Sequence, residues 1–237
     1  MMMLNPTDYL KSGYTIDNNI VKDSKGQAIY QNMGSYYNGT QGCKPAAIAS
    51  GANFTCTSID FTSTGLKNDL TRNAIESVVW NLGGTANYSS ASNGLASHFY
   101  GYERGTTVWR EHATTWTGKI GLMYPSDYGY ATAGGATTNR TSCLATMLYY
   151  DGWGGSDVSD CKNNDYLFKS NYIQWTLTPL SSSFRIAFSV GSAGYVVDYY
   201  AVSGALAVRP AAFLKSNISI TNVGIGTAES PFQLKVG

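Results

Sequence analysis

Apolar residues return along this chain in two rhythms, and each rhythm predicts its own element. Between residues 64 and 82, Leu66, Leu70, Ala74, Ile75, Val78, Val79 and Leu82 recur at intervals of three and four, the spacing of one helix face. Gly83-Gly84 follows as a C-terminal stop, so a core-facing helix is predicted over 64–82. A second helix is predicted from Thr141 to Tyr150, capped by Thr138 or Asn139, with Leu144, Met147 and Leu148 on one face. Elsewhere the rhythm is that of strands. Tyr14-Thr15-Ile16, Ile20-Val21 and Ala28-Ile29-Tyr30 alternate between the turn clusters Asp17-Asn18-Asn19 and Asp23-Ser24-Lys25-Gly26, which predicts a hairpin or small meander. Asn5-Pro6-Thr7-Asp8 caps a short helix or turn before it. Lys119 to Tyr124 reads as a buried strand that Pro125-Ser126-Asp127-Tyr128-Gly129 ends in a side-chain-capped turn. Ile218, Ile220, the Gly224-Ile225-Gly226 turn, Phe232 and Leu234 close the chain.

The stretch Gln174 to Leu214 departs from both rhythms. Its ends are regular: Trp175 and Leu177 alternate up to Pro179, and Val208, Ala212 and Leu214 surround Arg209-Pro210. Its middle is not what core packing selects. Ser181-Ser182-Ser183 runs into Phe184-Arg185, and Val197-Asp198-Tyr199-Tyr200 into Val202-Ser203-Gly204. Regular ends around an irregular, aromatic middle are what a scaffold needs to present a binding surface. Phe184, Ile186 and Phe188 also fit an alternating core strand, which places at least one of them inside.

Composition sharpens this picture. The 237 residues suffice for one large β-rich domain with a real core. No Pro- or Ser-rich linker divides 1–115 from 116–237, so one domain over 1–237 is expected. Charged residues make up 13%, about half the usual share, so Ser, Thr, Asn, Gly and Tyr must carry solubility. That profile suits an extracellular, cell-surface or virion location. Net charge is +1 and no basic block occurs, which excludes a phosphate-backbone binder. The 18 tyrosines suit recognition, because tyrosine gives a rigid amphipathic contact at low entropic cost. No apolar run is long enough for a membrane-spanning helix and no signal peptide is visible. Met1-Met2-Met3 reads as an added start, and a signal or anchoring helix removed upstream is expected.

Four cysteines, Cys43, Cys56, Cys143 and Cys161, allow three pairings, of which local closure of Cys43–Cys56 and Cys143–Cys161 is the simplest. Each closed loop would add about 3 kcal/mol by the chain-entropy argument. Four buried free thiols are the alternative. No C-x-x-C spacing points to zinc or thioredoxin-like chemistry. Asp151, Asp157, Asp160 and Asp165 are candidate calcium ligands, but their spacing does not match the helix–loop–helix pattern, and a solvated loop accounts for them equally. His98 and His112 are the two histidines, and neither has a partner at metalloprotease spacing. Val190-Gly191-Ser192-Ala193-Gly194 lacks the first glycine of a nucleophile elbow. Gly224-x-Gly226 lacks the third glycine of a dinucleotide fingerprint. No carboxylate pair is arranged for glycoside chemistry.

From Trp116 onward the segments WTGKIGLMYPSDYGYATAGG (116–135), NRTSCL (139–144), CKNNDYL (161–167), WTLTP (175–179) and AVRPAAFL (207–214) resemble a family of secreted bacterial domains with a C-type-lectin-like core. The helix at 66–84 extends the match upstream. Such domains terminate pilin-like and other surface proteins of gut bacteria. The core is similar to that of formylglycine-generating enzymes and of the variable proteins of diversity-generating retroelements. The resemblance implies an α+β, C-type-lectin-like fold with twisted antiparallel sheets and two main helices. Residues 1–115 would form a helix and meander, and 116–237 the core. In the retroelement family a late segment is diversified at adenine-containing codons. By that analogy residues 181–206 are the ligand-binding segment, with Ser181, Ser183, Phe184, Arg185, Tyr195, Asp198, Tyr199, Tyr200, Val202 and Leu206 facing the ligand. The formylglycine-generating enzymes use a late reactive cysteine pair, whereas no cysteine follows Cys161 here. The expectation is therefore a non-enzymatic, adhesin-type domain without a cofactor, whose partner is a protein or glycan on another surface. The alternative is a pilin-like or virion subunit that self-assembles through its aromatic surface.

Overall fold

The computed structural model describes residues 15–17, 20–22, 73–110, 112–183, 185–200, 206–207, 209–225, 230 and 232–237. The segment with Cys43 and Cys56, the strand expected at Ala28–Tyr30, and residues 64–72 of the expected first helix lie outside these.

The described chain is an α+β mixture of short helices and antiparallel pairs. β1 (Thr15–Asp17) and β2 (Ile20–Lys22) form the first expected hairpin, paired Thr15 to Lys22. The next strand corrects the last part of the helix expected over 64–82, of which Asn73 and Ala74 are helical. Residues Val78–Asn81 are β3, paired with β4 (Thr115–Gly118) so that Trp80 faces Trp116. Val78, Trp80 and Leu82 satisfy a period of two as well as a helical one, and adjacent β-branched valines favour the strand. Trp80 and Leu82 are buried, while Val79 points to solvent at 61% exposure. Gly83 and Gly84, expected as a helix stop, instead run against the Glu103 and Thr107 carbonyls and donate to them at 3.1 and 2.9 Å.

Four short α-helices follow. The first, α1 (Ala96–Glu103), rises from a Ser/Asn/Gly-rich stretch that gave no helical signal; Ala96, Phe99 and Glu103 are its buried positions. β5 (Ile120–Leu122) is the buried strand expected at 119–124. The turn expected after it is α2 (Pro125–Tyr130), with proline in its first turn and the Asp127 carboxylate accepting the Tyr124 N–H at 3.0 Å. α3 (Arg140–Leu144) begins at the predicted Asn139 cap, whose side chain accepts from Ser142 N–H at 2.9 Å. It ends well before Tyr150: the Leu148 N–H turns away to the Gly94 carbonyl, 2.8 Å, and its side chain is buried. A 3₁₀ turn at Ser156–Val158 leads into α4 (Ser159–Asn163), a helix in what read as a loop. The disulfide Cys143–Cys161 ties α3 to α4, as the local pairing predicted, and both cysteines are fully buried.

The central sheet is β6 (Gln174–Pro179), β7 (Ile186–Val190) and β8 (Val196–Tyr200), all antiparallel. β6 is buried on both faces. Trp175 and Leu177 join Trp80, Leu82, Leu122 and Tyr124 in one core cluster. Gln174, Thr176 and Thr178 are buried on the opposite side. The β6–β7 register shifts between Trp175 and Pro179, and there the Thr176 hydroxyl donates to the Phe188 carbonyl, 2.8 Å. Phe188, Val190 and Val196 enter the second cluster with Phe99, Tyr128, Leu148 and Trp153. β9 (Pro210–Ala212) pairs with β5, its proline at the first position, where no ladder donor is lost from the strand interior. β10 (Ile218–Ile220) and β11 (Leu234–Val236) form a terminal hairpin.

Candidate functional site

The central sheet sets where the expected ligand-facing residues go. β7 lies between β6 and β8, so within the described residues β8 carries a partner on one side only. Successive residues of β8 face opposite ways. Asp198 turns toward the second core cluster, half-buried, and accepts a short hydrogen bond from the Tyr88 hydroxyl. Tyr88 in turn packs edge-on against Phe188 and Tyr149, with centroids 4.8 and 5.3 Å away. Burial, then Asp198, pushes the Tyr88 phenol well above its ordinary range, so it stays a donor. Tyr199 turns the other way, meets Trp175 edge-on at 6.2 Å and keeps 39% of its surface exposed. Tyr200 ends the strand opposite Ile186 and is 56% exposed.

The β6–β7 turn lies at this same end. The Ser181 N–H donates to Thr85 O at 3.2 Å, the Ser183 N–H to Leu180 O at 3.2 Å, and the Ser183 hydroxyl accepts from the Arg185 N–H at 3.2 Å. Ser181 and Ser183 are half-buried and Arg185 is exposed. Ser181, Ser183, Arg185, Tyr199 and Tyr200 are thus gathered at one end of the sheet. Tyr195 sits beyond the opposite end of β8, about 14 Å away by strand rise, half-buried and packed edge-on with Tyr150 at 5.6 Å. Leu206 requires correction: it is 9% exposed and belongs to the Trp80–Trp175 core cluster, an aliphatic side chain serving packing. Phe188 is fully buried, as the core-strand reading of this stretch requires. Phe184 and Val202 lie outside the described residues.

The four candidate calcium carboxylates do not converge. Asp160 accepts from the Thr137 hydroxyl and from the Thr137 and Thr138 N–H groups at 2.7 and 3.1 Å, and these bonds hold its carboxyl below the usual range. Asp165 is buried and accepts from the Leu167 N–H at 2.8 Å. Asp151 and Asp157 are exposed. No group of three metal-ligating side chains occurs among the described residues. His98 serves the start of α1, where its Nδ1 accepts the Leu95 N–H at 3.3 Å, and His112 is exposed.

One concavity was not anticipated. A groove of about 520 Å³ is floored by Trp80 and Tyr124 and rimmed by Tyr130, Tyr166, Phe213, Arg104 and Asp127. The floor is fixed at its polar tips. The Trp80 indole N–H donates to Gly118 O at 2.9 Å, and the Tyr124 hydroxyl donates to Asn81 O at 3.0 Å and accepts from Asn81 N–H at 2.9 Å. Trp80 lies on Gly121, where a Cβ would come within 2.7 Å of the indole, so glycine lets ring and strand touch. The Arg104 guanidinium stacks on Tyr100, 3.5 Å from its centroid, and reaches Tyr124 at 5.7 Å. It also donates to the buried Glu103 carboxylate at 3.2 Å. Glu103 accepts from the Ser126 N–H at 2.9 Å and from the Ser126 hydroxyl, tying α1 to the first turn of α2. Burial raises its carboxyl to about 7. A period-two reading of Val78-Val79-Trp80 would have turned Trp80 inward; no local signal joins it to Phe213, more than a hundred residues later.

No family model matches the chain, and neither a curated protein nor a solved structure matches it.

Proposed function

We propose that this chain is a non-enzymatic, extracellular ligand-binding domain of adhesin type, built on a C-type-lectin-like scaffold and displayed on a bacterial or phage surface. The carrying observation is that Tyr199 and Tyr200, on opposite faces of the end of β8, are both exposed next to the turn that carries Arg185, with Trp175 buried behind Tyr199. Tyrosine and arginine dominate binding hot spots, and a rigid backing lowers the entropic loss on binding. The backing is supplied by Trp175 under Tyr199 and by the Tyr88–Asp198 hydrogen bond. Net charge of +1 leaves recognition to shape more than to long-range steering. The ligand class is a protein or glycan on another surface. The resemblance to retroelement variable proteins adds that residues 181–206 are the diversified segment. A reverse transcriptase gene with a near-copy of codons 181–210 in the neighbouring DNA would support that assignment, and its absence would oppose it.

The binding claim is tested with labelled protein on intact bacterial cells and on a glycan array. Tyr199→Ala combined with Tyr200→Ala should leave circular dichroism and melting unchanged and reduce binding at least tenfold, as expected of hot-spot truncation. A variant that loses its fold would show that these rings are core.

A second reading, a self-assembling pilin-like or virion subunit, is favoured by the terminal hairpin. Its register puts Ile218, Ile220 and Leu234 on one face, with Ile220 62% and Leu234 40% exposed. Two strands alone are marginal in water, and such a face gains stability when covered. Concentration-dependent assembly abolished by Ile220→Lys would select this reading.

A further inference from the structure

We propose that the groove over Trp80 and Tyr124 binds an uncharged sugar ring, a hexopyranose alone or as one residue of a glycan, at a site separate from the β8 end and independent of its role. Its volume of about 520 Å³ lies in the range of small-molecule sites. The aromatic floor is preorganised. The hydrogen bonds of Trp80 and Tyr124 point to backbone groups and both side chains are buried, so they fix the shape of the groove, and the ring surface open to a ligand is that of Tyr166, Phe213 and Tyr130. Phe213 stands 5.3 Å from Trp80 and Tyr124 6.4 Å, both tilted, so the walls are aromatic on two sides. Tyr166 and Phe213 are 70% and 55% exposed at the rim, ring area held in water beside the concavity.

Among the described residues the lining carries one cation, Arg104, and one anion, Asp127, so it favours neither sign of charge. An uncharged ring with apolar C–H faces and hydroxyls on its edge matches the lining in full. Its faces lie against the aromatic rings, whose negative faces favour C–H edges. One Asp127 oxygen is occupied by the Tyr124 N–H, and the other carries no hydrogen bond among the described residues, which is where a ligand hydroxyl would donate. Arg104 spends one Nη on Tyr100 O and Glu103, and among the described residues its other N–H groups are left to donate to a hydroxyl oxygen. A donor and an acceptor within a largely apolar lining fix orientation as well as affinity.

The test uses the full 237-residue chain, with saturation-transfer NMR and calorimetry. The probes are lactose, cellobiose and maltose, with glucuronate and tetramethylammonium as charged controls. At least one uncharged disaccharide should bind with Kd on the order of 1 mM. Phe213→Ala and Tyr166→Ala, both at exposed positions, should each weaken it several-fold. Asp127→Asn, which keeps an acceptor for the Tyr124 N–H, should also weaken it, and Tyr199→Ala should not. The proposal is overturned if none of the three sugars binds, if a charged control binds in their place, or if Phe213→Ala and Tyr166→Ala remain folded and bind as before. It is overturned equally if Tyr199→Ala abolishes sugar binding, which would move the sugar to the sheet end.

Discussion

At Glu103 a carboxyl group with no exposed side-chain surface holds two helices together. Burial raises it from 4.5 to about 7. A raised acid binds its proton more tightly folded than unfolded. Its contribution is therefore complete below pH 4.5 and is lost as pH rises through about 7. Asp165, also raised to about 7 by burial, acts in the same direction. The protein should melt at a higher temperature at pH 5 than at pH 8, with Glu103 contributing on the order of 3 kcal/mol to the difference. Glu103→Gln keeps an acceptor for Ser126 and removes one of the two titrations, so it should shrink the melting-temperature difference between these limits to the part Asp165 contributes. Equal melting at both pH values in the wild type would contradict this account of Glu103. Asp165 Oδ2, the Gln174 side-chain amide and Thr178 Oγ1 are also buried, and no hydrogen-bond partner among the described residues meets them.

At the scale of elements, the described helices are five to eight residues long. Helices this short depend on packing and caps more than on propensity. That is why the disulfide between α3 and α4 matters. It closes a loop of 18 residues around Trp153, whose indole donates to Cys143 O at 3.1 Å. Replacing both Cys143 and Cys161 with serine should lower stability by about 3 kcal/mol, read by chemical denaturation. A loss below about 1 kcal/mol would mean that α3 and α4 hold by packing alone. The same shortness explains what the sequence revealed. The Asn139 cap, the buried strand before Pro125, the β1–β2 hairpin and the Cys143–Cys161 pairing were legible, because each rests on neighbours in sequence. The strand at Val78–Asn81 was not, because its apolar positions fit two periods and the Trp116 strand across from it decides between them. α1 was hidden in a polar stretch whose helix forms by seating Phe99 on Phe188, ring centroids 5.2 Å apart. Of the expected ligand-facing residues, Ser181, Ser183, Arg185, Tyr199 and Tyr200 share one end of the sheet, since two antiparallel strands bring a turn back beside a strand end, with Tyr199 and Tyr200 on opposite faces. Leu206 did not belong, because its neighbours in space come from β3, β5 and β6.

Across the whole molecule, a packed interior is distinct from what the surface displays. Trp175, Leu177 and Phe188 are almost wholly buried, whereas Arg185, Tyr199 and Tyr200 on the same sheet face solvent. A packed core tolerates change poorly, and exposed positions tolerate it well. The most direct measurement is a display library of the full chain, randomised one position at a time at these six residues and sorted for protease resistance. The account predicts that most substitutions at Arg185, Tyr199 and Tyr200 leave resistance unchanged, while most at Trp175, Leu177 and Phe188 abolish it. Tyr199 and Tyr200 as intolerant as Phe188 would contradict it.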